Sequence, residues 1–211
     1  MASLLTIEIG GDELTNAAGV TIADDAITLS FANVASNVVD LTVSFHGGSG
    51  ITSSNAKVND IVFNIATEYS DLAIALHSIN AVHNSIGATA SYAANALNLS
   101  PFSNFDFLLD FQTSNQNSFD VGESAVFRIS RTGGSLEATE FSAYNVDPNH
   151  DDFQALAHIN DVQTNLSGKY YGIPDGGPGP PVVPEPASLI VWALIVPLGC
   201  VATWYRRRRQ G

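Results

Sequence analysis

The residue types that carry chemistry are thinly spread along this chain of 211 residues. Serine hydrolysis needs a nucleophile, a base and an orienting acid within hydrogen-bond reach. His46-Gly47-Gly48-Ser49-Gly50 places a serine in a glycine-rich stretch similar to the oxyanion loop of some esterases. Ile51 stands where a Gly-x-Ser-x-Gly elbow needs its second glycine, so the stretch reads as a loop between two strands. Histidines 46, 77, 83, 150 and 158 match no His-x-Glu or His-Glu-x-x-His zinc pattern, and His158 in a strand-like run reads as structural. Asp106 and Asp110 are the carboxylates whose pairing would suit glycoside hydrolysis. Their even spacing places both on a polar strand face, opposite the neighbouring phenylalanines.

Oxygen-rich loops suit calcium, which takes roughly six to eight oxygen ligands. Asp147-Pro148-Asn149-His150-Asp151-Asp152 concentrates such groups, making Asp147, Asp151 and Asp152 the candidate ligands, with Asp24-Asp25 as a second site. The EF-hand spacing is absent, and Asp and Asn favour turns without any metal. No other cofactor is expected. Tyr144, Tyr170 and Tyr171, in or near loops, are the rings available for stacking on a sugar.

The elements that must position these groups show period-two patterning. Ile27, Leu29 and Phe31 share one face, as do Val39, Leu41, Val43 and Phe45, then Ile61, Phe63 and Ile65. Phe105, Phe107, Leu109 and Phe111 repeat the pattern, followed by Phe127 with Ile129 and by Ala155, Ala157 and Ile159. Turn-forming clusters at Gly47–Gly50, Ser114–Ser118 and Gly133-Gly134 separate the runs. Short strands at such spacing predict an all-β body, an antiparallel β-sandwich of jelly-roll-like form, over residues 1–172. Asp71–His83 fits a strand or a short helix, and Ser135 is placed to cap one helical turn ending at Phe141.

Charge is segregated. All 21 acidic residues lie at or before Glu185, against four basic ones there (Lys57, Arg128, Arg131, Lys169), a net of −17. Such a surface repels phosphate backbones, so nucleic acid is excluded as a partner. Cys200, the one cysteine, lies in an apolar run, which leaves the body without disulfides or thiolate metal sites.

Residues 173–186, Ile-Pro-Asp-Gly-Gly-Pro-Gly-Pro-Pro-Val-Val-Pro-Glu-Pro, read as a Pro/Gly linker. Residues 187–205, Ala-Ser-Leu-Ile-Val-Trp-Ala-Leu-Ile-Val-Pro-Leu-Gly-Cys-Val-Ala-Thr-Trp-Tyr, carry no formal charge. A helix of that length spans roughly 28 Å, enough to cross a bilayer as a single C-terminal transmembrane helix. Trp204 and Tyr205 suit the interface, and Arg206, Arg207, Arg208 and Arg209 form a basic cytoplasmic tail over 206–211.

Val183-Pro184-Glu185-Pro186, a span and an arginine-rich end together resemble the PEP-CTERM sorting signal. The resemblance implies a protein exported by an exopolysaccharide-producing bacterium. An exosortase, a membrane transpeptidase, would process it near Pro186. The chain would be anchored in the inner membrane in transit, then placed at the cell surface or extracellular matrix. Export also calls for a signal peptide, whereas Met1–Ile9 alternates like a strand; either the true start lies upstream, the favoured expectation, or export uses another route. Over residues 55–170 the body is similar to bacterial surface proteins bearing that signal. The matching segments are Val58–Asn64, Phe105–Phe111, Phe119–Phe127, Leu136–Phe141, Ala157–Asn160 and Ser167–Lys169. The resulting expectation is a non-enzymatic surface protein associated with exopolysaccharide. The alternative is a carbohydrate-binding module or polysaccharide-active enzyme on the same anchor.

Overall fold

The computed structural model describes residues 4–11, 19–81, 86–114, 117–145 and 153–174. Within them the body is all-β and antiparallel, as the alternating apolar pattern predicts. Eleven strands join one sheet: β1 (Leu4–Gly11), β2 (Ile22–Ala35), β3 (Val38–Phe45), β4 (Lys57–Phe63), β5 (Leu72–Asn80) and β6 (Ala88–Leu99) come first. They are followed by β7 (Phe102–Phe111), β8 (Phe119–Asp120), β9 (Ser124–Arg131), β10 (Ala155–Gln163) and β11 (Leu166–Pro174). The order across the sheet is β5-β9-β3-β2-β1-β11-β10-β4-β7-β6, with β8 pairing β4. β1 sits mid-sheet, bonded to β2 on one side and to β11 on the other.

The sheet folds over so that its two halves face each other. Phe31 on β2 meets Phe63 on β4 edge-on, with ring centroids 5.5 Å apart. Phe45 on β3 meets Phe119 on β8, and Phe111 on β7 meets Phe127 on β9. These strands are not neighbours in the sheet, so the rings form the filling between two layers, the arrangement of a sandwich. Phe141 closes one end of the filling, stacked on Phe31 at 4.6 Å. A second, smaller cluster, Val62, Leu99, Phe102, Phe105, Phe153 and Leu156, covers part of the outer surface.

Several expectations are sharpened or corrected. The ambiguous stretch from Asp71 contains a strand, β5. The single turn near Phe141 is a 3-10 helix over Ala138–Ser142 with Glu137, not Ser135, at its N-cap; the Glu140 carboxylate accepts from Glu137 N at 3.0 Å. β6 has small and polar residues with one weak apolar alternation, and periodicity did not reveal it. Phe105 does not share the filling with Phe107, Leu109 and Phe111 but joins the smaller cluster: the alternation breaks across Phe105, Asp106 and Phe107, all three buried, directly after Asn104 with its left-handed φ of 66°. β11 extends to Pro174. The sorting motif Val183–Pro186, the apolar run 187–205, Cys200 and the arginines 206–209 lie outside the described residues. Among the described residues no helix is long and apolar enough to cross a membrane.

Candidate functional site

The expected chemical groups are dispersed by the fold. His46 Nε2 and Thr28 Oγ1 are 3.0 Å apart, and the backbone carbonyl of Ser49 accepts from Ala23 N. The glycine loop is therefore strapped to β2. Gly50 shows why glycine is needed there: its φ is +82°, and a Cβ would lie 2.0 Å from Thr21 O. Asp24 and Asp25 sit on β2, and among the described residues no group of three or more His, Cys, Asp or Glu is placed to hold a metal. Asp147, Asp151 and Asp152 lie outside the described residues. His158 on β10 faces Asp60 on β4, Nδ1 to Oδ2 3.5 Å, a half-buried pair within the sheet.

Asp106 and Asp110 do not form a pair on one polar face. Asp110 is exposed and lies directly opposite Asp60 on β4; burial and the Asp60 charge raise its pKa. Asp106 is only 3% exposed. It is drawn inward because β6 carries a large bulge: Tyr92 opposes Phe107, yet Leu97 opposes Phe105, so extra residues loop out of β6. Asn95 in that bulge is left-handed (φ 51°), and its backbone N donates to Asp106 Oδ1 at 2.7 Å. Asp106 Oδ2 accepts from Ile65 N at 3.0 Å, and Asp106 N donates to Asn64 Oδ1 at 2.9 Å. The carboxylate thus replaces ladder partners that the bulge removes from the backbone.

Around Asp106 opens a cleft of about 460 Å³, within the range of roughly 300–1,000 Å³ common for small-molecule sites. Asn64, Ile65 and Ala66 after β4 form one wall, and Glu68 continues it. Asn95 from the β6 bulge and Asn104 from β7 form another. Ala143 and Tyr144, after the 3-10 turn, complete the lining, with Tyr144 39% exposed. Asn95 and Asn104 both hold left-handed backbones, and sparsely populated conformations of this kind gather at ligand sites.

The walls are held firmly. Ala66 N donates to Glu140 O at 2.7 Å, Tyr69 N to Tyr92 Oη at 3.0 Å, and Tyr69 Oη to Glu140 Oε2 at 2.5 Å. The Glu140 bond raises the Tyr69 pKa by favouring the protonated phenol. The Arg131 guanidinium lies 3.6 Å from the Tyr69 ring centroid and pairs with Asp71 at 3.1 Å. Asn95 Nδ2 donates to Glu68 Oε1, tying the two walls together. Of the three tyrosines considered for sugar stacking, Tyr144 lines this cleft, Tyr170 is buried in the sandwich filling, and Tyr171 packs on the smaller cluster. Sequence reasoning missed Asn64, Glu68, Asn95 and Asn104; the bulge that assembles them has no short-range signature beyond its asparagines.

No family model matches the chain, and no curated protein matches it. Among solved structures it is similar to biomass-sensing modules from Rsgi-like proteins of Clostridium thermocellum, described as resembling the family 3 carbohydrate-binding module of the cellulosome. The match has 11% identity and a TM-score of 0.31, covering 80% of this chain and 97% of that one.

Proposed function

We propose that the protein is a non-enzymatic component of the bacterial outer surface whose jelly-roll-like body binds carbohydrate in the cleft beside Tyr144. The observation that carries this reading is the cleft itself: an exposed tyrosine ring next to three asparagines and two carboxylates, on walls pinned by hydrogen bonds. Sugars offer hydroxyls to amide and carboxylate groups and C–H faces to aromatic rings, so this lining suits them chemically. Binding of the cell's exopolysaccharide to the full chain is expected to fall at least about tenfold in Tyr144→Ala, as measured by affinity electrophoresis. Retention of full affinity in that variant would remove the cleft as the site.

Delivery belongs to the same proposal. The motif Val183–Pro186, the apolar run after it and the arginines at 206–209 act as a PEP-CTERM-type signal, with an exosortase-type transpeptidase as processing partner. The chain is held in the inner membrane in transit and then released to the cell surface or matrix. In cells lacking the exosortase, the protein is expected to stay larger and membrane-bound. Unchanged size and distribution in fractionated cells would sink this part of the proposal and leave carbohydrate binding unaffected.

A further inference from the structure

We infer that the cleft selects sugars bearing a free amine, of the glucosamine type, over N-acetylated and acidic sugars. This rests on the carbohydrate reading above and names the ligand class within it. Its ground is charge. The described lining residues include two carboxylates, Asp106 and Glu68, and no lysine, arginine or histidine. Asp106 is 97% buried, and among the described residues it has no ion-pair partner; its two oxygens are held by backbone N–H groups alone. Amide dipoles solvate a carboxylate but leave its charge uncompensated, and burial strengthens the field it projects.

Glu68 adds a second negative charge at the exposed rim, held by the Asn95 side chain. Tyr144 lines the same cleft, and an aromatic ring there also favours a cation. A sugar ammonium entering this space gains from all three groups. An N-acetyl group brings bulk without charge, and a uronate or sulfate brings repulsion. The net charge of −17 up to Glu185 steers ligands in the same direction over longer range. A bare divalent cation is less well served, since no set of three or more acidic or histidine ligands exists among the described residues. An amino sugar supplies its own hydroxyls to the amides of Asn95 and Asn104.

Isothermal titration of the full chain at physiological ionic strength tests this with four probes: tetramers of glucosamine, N-acetylglucosamine and galacturonic acid, and tetralysine. The glucosamine tetramer is expected to bind at least about tenfold more tightly than the acetylated one, with no measurable heat from the galacturonate. Glu68→Gln is expected to weaken glucosamine binding by about tenfold, Tyr144→Ala by a similar factor, and the charge-matched Asp25→Asn, at an exposed position of β2 outside the lining, to leave it unchanged. Binding is also expected to weaken as pH rises through the pKa of the sugar amine. Equal affinity for both glucosamine tetramers would overturn the selectivity while sparing the carbohydrate reading. Tetralysine binding as tight as glucosamine would make the ligand a basic peptide. An equal loss in Asp25→Asn would reduce the effect to diffuse electrostatics. Failure of every oligosaccharide to bind would overturn the carbohydrate reading itself.

Discussion

Asp106 shows how one residue shapes the cleft. Its oxygens accept from Ile65 N and Asn95 N, two donors with no other partner in the ladder at the bulge. Asp106→Ala is therefore expected to cost about 1–3 kcal/mol in urea denaturation, since the buried Ile65 N and the part-buried Asn95 N both lose their acceptor. Two other aspartates move stability in opposite directions with pH. Arg128 holds the Asp40 pKa below its ordinary value through a two-pronged bond, Nε and Nη2 each at 2.8 Å. That contribution is present above the ordinary carboxylate pKa and is lost as pH falls through the lowered value. Asp110, raised by burial and by Asp60 opposite, favours the protonated form in the fold, so its ionised form weakens the native state at neutral pH. Asp40→Asn is expected to lower the melting temperature at neutral pH, and Asp110→Asn to raise it. Both differences should vanish once the pH lies below the two folded-state pKa values; differences that persist there would contradict the charge origin.

At the scale of elements, the 3-10 turn and β6 do the most to form the site. The turn presents Phe141, which lies between Phe31 and Phe107 at 4.6 and 5.8 Å between centroids and is fully buried. Its first turn also positions Glu140, whose carbonyl fixes Ala66 on the cleft wall and whose carboxylate accepts from Tyr69 Oη. Phe141→Ala is expected to cost about 3–5 kcal/mol in urea denaturation and to weaken ligand binding through the displaced wall. The glycine loop after β3 has a different job. Gly50→Ala forces a left-handed backbone on alanine and drives its Cβ into Thr21 O, so a loss of about 2 kcal/mol or more is expected, with ligand binding by the folded fraction unchanged. Loops of this kind are legible as loops, because glycine content reports backbone geometry directly. The β6 strand was not legible: alanine dominates it, and its position follows from pairing with the strongly apolar β7.

For the whole molecule, closure depends on the last strand. β11 bonds to both β1 and β10 and so joins the two halves of the sheet. A fragment ending at Gly177 contains one compact unit and is expected to unfold at the same urea concentration as the full chain. A fragment ending at Asn165 removes β11, leaves both neighbours with an open edge, and is expected to lack cooperative unfolding by circular dichroism. Intact cooperativity in the shorter fragment would show that β11 is dispensable for closure.

Apolar alternation alone determined that the body is antiparallel β, because a strand with one buried face must repeat every two residues. Composition alone determined the excess of negative charge and the segregation of the four C-terminal arginines. The cleft is a different matter. Asn64, Glu68, Asn95, Asn104, Asp106 and Tyr144 come from four separate stretches, and only strand pairing across β4, β6 and β7 brings them together. Even spacing placed Asp106 beside Asp110 on a wet face. The bulge in β6 overruled it, since unpaired backbone N–H groups demand a buried acceptor and the nearest carboxylate supplied one.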